Sequence, residues 1–364
     1  MKRSIYAILG IPIVFNIGEF FNGKLPENST NIEFIIIYLL AIIPVFFIYN
    51  EKQIDFNKPS KKFITKLLIF GLTCLMPFFY FIFKNVDFSS LLNIATFMEG
   101  YRNGAYKGSG IFTFLSTNIF PFIYCFILMT NKIKVRDQIF FGLIVVIPPL
   151  ILGLRVWLIP IFIVYILIFF SKKNIKLIEL ILFFVLIIVI LLSTKLILAA
   201  DAYGVNILDT FFKILSRTNY QAILTLKMDL NVLDGFLSSL DFYSVKDYFY
   251  YKNQLHIESL YFNRISLTSG MAMPLPVLIL NTFGKIIGTV FLSLIFIIWI
   301  ISLNLFLKIK HSFFLKSIFF FTFIILTGAI IEDVTFLTKF ILIPFLSVFI
   351  LILEKIKNIS FKLS

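Results

Sequence analysis

Apolar residues in this chain come in long unbroken runs, and that feature limits its fold more than any other. A helix crossing a bilayer needs about 20 mostly apolar residues, and within the hydrocarbon its backbone N–H and C=O groups must be satisfied internally. Runs of this kind occupy residues 4–21, 32–49, 67–83, 111–130, 139–153, 156–170, 177–200, 284–307, 317–331 and 340–353, separated by charged or Gly/Pro/Asn-rich breaks. The expected fold is all-α and polytopic, with about ten transmembrane helices in a single membrane domain over residues 1–364. The stretch 139–170, broken at Gly153 and Arg155, and the stretch 317–353, broken at Glu332, Asp333 and Lys339, read as tight hairpins. Lys2 and Arg3 ahead of an apolar run imitate a signal peptide, but no small-residue cleavage site follows, so the segment reads as a retained first helix.

Composition closes off the soluble alternatives. The chain is 60% hydrophobic and 14% charged, whereas a soluble domain carries about 25% charged residues. Its net charge of +14 therefore reports orientation first and is not read as a nucleic-acid footprint. With ten spans both termini share a side, and the connections on that side carry 19 of the 33 basic residues, including Lys58, Lys62, Lys134 and Lys310. The positive-inside rule makes that side cytoplasmic. Two long connections, 84–110 and 201–276, then lie outside, and the larger is expected to cap a site at the outer leaflet.

Ionisable groups within apolar segments are costly and mark function by default. Glu19, Arg155, Lys195, Lys285, Glu332 and Asp333 all fall at the outer ends of their runs. A transporter keeps its polar site near the midplane on broken helices; here the polar groups gather at one leaflet. The arginines sharpen this reading. Of 33 basic residues only six are Arg, and four of those, Arg102, Arg155, Arg217 and Arg264, map outside. Arg offers a planar fork of donors that grips phosphate bidentately, so an outer diphosphate would explain the pattern, with ordinary ion pairing as the competing reading. Around Arg102 the loop MEGYRNGAYKGSG supplies glycines that let backbone N–H groups approach an anion.

The large loop contains DFYSVKDYFYYKNQLHIESLYFNR. Asp247, Tyr248, Tyr250, Tyr251 and Tyr261 suit stacking on sugar faces and bonding of hydroxyls, while an interfacial aromatic belt is the plainer alternative. His256 is the leading candidate for a base that accepts a hydroxyl proton, followed by Glu258 and Glu99. No HExxH, paired cysteine or outer DxD is present, so neither metal nor cofactor is expected; GxSxG is also absent. Cys74 and Cys125 both sit in apolar runs and offer no disulfide framework.

Two stretches, ILGLRVWLIPIF around Arg155 and PLPVLILNTFGKIIGTVFLSLIF with Pro274, Asn281, Gly284 and Gly288, together with the single large late loop, resemble the bacterial O-antigen polymerases (Wzy type) and the related O-antigen ligases. The resemblance implies a GT-C-like helical fold in the bacterial inner membrane. It implies transfer of a growing glycan from undecaprenyl diphosphate to an incoming lipid-linked repeat unit, without metal. Its implied partners are the undecaprenyl-diphosphate-linked oligosaccharide, membrane lipid, and a chain-length regulator and flippase of the same pathway. Under that reading Arg155, Arg217, Arg264 and Arg102 neutralise the leaving diphosphate. An O-antigen ligase and a lipid-linked oligosaccharide flippase are the alternatives.

Overall fold

A computed structural model describes residues 2–21, 28–49, 61–85, 118–130, 135–151, 158–170, 274–331 and 334–360. These residues are helical: α1 (Lys2–Phe21), α2 (Asn28–Ile48), α3 (Lys61–Asn85), α4 (Phe120–Thr130), α5 (Val135–Ile151), α6 (Ile159–Phe170), α7 (Leu275–Lys308), α8 (Phe313–Ile331) and α9 (Leu342–Ser360), with a 3-10 segment over Val334–Ile341. Helix thus occurs at nine of the ten expected positions, and the run at 177–200 lies outside the described residues. Among the described residues three stretches are long and apolar enough to cross a membrane: Lys62–Tyr80, Phe283–Lys308 and Phe313–Ile331. Shorter apolar helices cover Arg3–Ile13, Ile32–Ile48, Phe120–Thr130 and Ile159–Phe170.

Side-chain contacts fix the direction of each helix. Glu33, Tyr38 and Ile48 of α2 meet Lys285, Phe296 and Asn304 of α7 in the same order, so these two helices run parallel. Helix α8 runs back against α7, with Phe320 beside Phe306 near one end and Thr327 on Trp299 further along. Helix α9 runs back again, and its Ser347 hydroxyl lies 2.9 Å from that of Ser317. The start of α3 meets the start of α8 through Phe63 and Phe313, whose ring centroids are 5.1 Å apart. Ser4 at the start of α1 donates to the Leu167 carbonyl near the end of α6. Exposed Arg3, Lys62, Lys66, Lys308, Lys310 and Lys355 consequently gather at one end of the bundle, called the basic end below.

Polar pins hold an otherwise apolar interior. The buried Trp299 indole N–H donates to Thr327 Oγ1 at 2.7 Å, and that hydroxyl donates to the Phe323 carbonyl one turn earlier at 2.6 Å. Phe323 also stacks on the indole. Tyr124 of α4 donates to the Gln138 carbonyl at 2.7 Å. Its oxygen lies 3.0 Å from the Tyr165 hydroxyl; with the Tyr124 proton committed, Tyr165 is the donor. Gln138 near the start of α5 and Tyr165 in the middle of α6 thus share one phenol on α4.

Helices α2 and α7 are apolar on both faces. Phe34, Tyr38, Ala41 and Val45, facing Leu292, Phe296, Trp299 and Leu303, are buried at 1% exposure or less. On the outer side of α7, Ile286, Val290, Leu294, Ile298 and Ile301 stand exposed, Ile286 at 84%. Helix α2 likewise exposes Ile36, Leu40, Ile43 and Phe47. A helix that is hydrophobic all round suits a protein core or a lipid environment, and an exposed stripe of this length has no place against water.

Candidate functional site

At the end opposite the basic one, α7 is discontinuous. Gly284 has φ 71° and ψ 179°, a conformation open in practice only to glycine. The break turns the short segment Leu275–Phe283 back on the long one. A side chain at Gly288 would meet the Ile279 carbonyl and Leu280 Cα at 3.1 Å, although nine residues of straight helix would separate positions 279 and 288 by about 13 Å. Phe283 and Phe291 stack across the fold with centroids 4.6 Å apart. The sequence reading began its helix at Gly284 and ended the outer loop at 276; the intervening residues are a folded-back half-helix. Only the tertiary fold brings Leu280 onto Gly288.

Lys285 opens the long segment of α7, and its Nζ lies 2.6 Å from Glu33 Oε1 near the start of α2. A cation in a helix's first turn opposes the helix dipole, whereas a carboxylate there is favoured. Glu33 therefore offsets the cation at the start of the long segment of α7. The two side chains are 51% and 42% exposed, so the pair contributes about 0–1 kcal/mol and can exchange its partners. The Lys285 carbonyl also accepts the Thr289 hydroxyl, which tightens the first turn.

A second cation sits at the same end, in the 3-10 segment between α8 and α9. Lys339 is 3% exposed, and its Nζ lies 3.3 Å from the centroid of the Phe336 ring. That ring in turn packs against the Gly328 backbone of α8. Burying an ammonium is costly, and an aromatic face returns part of its lost hydration.

The residues proposed from sequence lie outside the described residues: His256, Glu258 and Glu99; Arg102, Arg155, Arg217 and Arg264; and Asp247, Tyr248, Tyr250, Tyr251 and Tyr261. The described structure adds what the sequence reading missed. Glu33 is a lone acid opening an apolar run, a visible signal, but its partner lies 252 residues away. Among the described residues no three His, Cys, Asp or Glu side chains converge, and Cys74 and Cys125 are free, buried thiols. No family profile, curated protein or solved structure matches the chain.

Proposed function

We propose that the chain is a multi-pass membrane glycosyltransferase of the O-antigen polymerase type, with its basic end cytoplasmic and the Gly284 end periplasmic. The observation that carries this reading is the broken helix at Gly284, with Gly288 packed beneath it, in the stretch whose sequence resembles those enzymes. Lys285, in its pair with Glu33, and the buried Lys339 lie at that same end, where a polyprenyl diphosphate would present its phosphates. In this reading Arg155, Arg217, Arg264 and Arg102 neutralise the departing diphosphate, and the tyrosines of the large loop, with Asp247, hold sugars. His256, or else Glu258 or Glu99, takes the proton of the acceptor hydroxyl. Direct displacement at the anomeric carbon then inverts its configuration, with the lipid diphosphate leaving.

Deleting the gene and separating the cell's lipopolysaccharide by electrophoresis tests the reading. A core bearing a single repeat unit supports a polymerase. Loss of all capped core points instead to a ligase or a flippase, and an unchanged ladder removes the family.

A further inference from the structure

At the basic end three elements meet. Phe63 packs on Phe313, which brings the first turn of α3 against the start of α8. From α9, Glu354 reaches the Phe313 and Phe314 backbone N–H groups at 3.5 and 3.4 Å. Around this junction stand the exposed side chains of Lys62 and Lys66 on α3, Lys308 and Lys310 at the α7–α8 turn, and Lys355 on α9. Glu354 is the sole acid on the described parts of α3, α7, α8 and α9, and its carboxylate faces the α8 start.

The placement of these lysines is uneven in energy. Lys308 lies in the last turn of α7, where the dipole favours a cation; Lys62 lies in the first turn of α3, where it does not. That turn carries no acid. Among the described residues no acid faces the α3 start, whereas the α8 start has Glu354.

The same three helices expose apolar side chains: Ile69 three residues after Lys66 on α3, Ile352 three residues before Lys355 on α9, and Leu315 in the first turn of α8. A ligand matching both features has a negative headgroup joined to acyl chains. A soluble anion would use the lysines and leave the apolar side chains idle.

We propose that the junction of α3, α8 and α9 is a binding site for an anionic phospholipid, with the headgroup phosphate among Lys62, Lys66 and Lys355 and the acyl chains along Ile69, Leu315 and Ile352. The site stands apart from the glycan chemistry proposed at the opposite end.

The test is native mass spectrometry of the delipidated full-length protein, titrated with phosphatidylglycerol or phosphatidylcholine of identical acyl chains. Near a membrane surface each lysine is worth roughly a fivefold change in affinity for anionic lipid, so the preference for phosphatidylglycerol is expected to be about tenfold or more. The variant Lys62→Gln/Lys66→Gln/Lys355→Gln should lose that preference, while Lys62→Arg/Lys66→Arg/Lys355→Arg keeps it. All three lysines are exposed, so both variants should retain the wild-type elution volume and circular dichroism. The proposal is overturned if the Gln variant keeps the preference. It is equally overturned if glycerophosphoglycerol, the headgroup without chains, competes as well as the lipid, since the site would then take a soluble anion.

Discussion

Lys285 and Glu33, 252 residues apart in sequence, form an ion pair of 2.6 Å that ties the start of α2 to the start of the long segment of α7. Further along the same interface Tyr38 meets the edge of Phe296, and Asn304 Nδ2 donates to the Ile48 carbonyl at 3.1 Å. The pair therefore lies in register with these contacts along two parallel helices whose other contacts are mostly apolar. It also stands beside the break in α7, at the end proposed for catalysis.

Reversing this pair should separate charge from geometry. Lys285→Glu alone sets two carboxylates against each other, and Glu33→Lys alone sets two ammonium groups against each other. The double variant restores attraction and puts Glu in the first turn of the long segment of α7, where the dipole favours it. Thermal unfolding in detergent is expected to show a coupling of about 0.3–1 kcal/mol, the range for exposed pairs. Additive single effects would mean that the two side chains act independently.

Gly284→Ala should destabilise the protein by about 1–3 kcal/mol, because the alanine Cβ disfavours the backbone conformation that position 284 adopts. No neighbouring atom would meet that Cβ within 4 Å, so the penalty is conformational and not a clash. In cells the variant should also shorten the polysaccharide, if the break shapes the catalytic end. Unfolding at the wild-type temperature would show that α7 straightens without cost.

Thr327→Val keeps the shape but removes the acceptor for the Trp299 indole. A buried donor left unpaired costs about 1–3 kcal/mol, so the unfolding midpoint should fall. Tryptophan fluorescence of the folded variant should report the lost hydrogen bond, and an unchanged midpoint would show that the indole finds another acceptor.

The proposed orientation predicts that cysteines placed at Ser109 and Ser239, with Cys74 and Cys125 replaced, react with an impermeant thiol reagent in spheroplasts. Cysteine at Ser60, on the lysine-rich side, should react only after lysis. The opposite pattern would invert the topology.

For Arg155, replacement by Lys should impair polymer formation nearly as much as replacement by Ala, since a bidentate grip is proposed and a point charge does not supply it. Abundance of each variant is read by immunoblot. A fully active Lys variant would remove the diphosphate-clamp role.

How much was legible in the sequence follows from what each feature depends on. The helices were, because a long apolar run is a one-dimensional feature, and the runs ending near Ile48, Phe170 and Ile331 can be read residue by residue. That α8 and α9 are separate helices packed on each other was legible, since charge interrupts an apolar run locally, while the break at Gly153 and Arg155 lies outside the described residues. The functional residues proposed in the loops were chosen by residue chemistry alone, and they lie outside the described residues. The half-helix folded back at Gly284 was hidden, because nothing local to Leu280 says that it will rest on Gly288. The same holds for Glu33 with Lys285, Phe63 with Phe313, and Trp299 with Thr327. Apolar periodicity specifies that a helix forms and which residues can face outward, but in a helix apolar all round it does not say which face meets a partner. That choice was made in the tertiary structure by close packing and by the few polar groups that had to find one another within it.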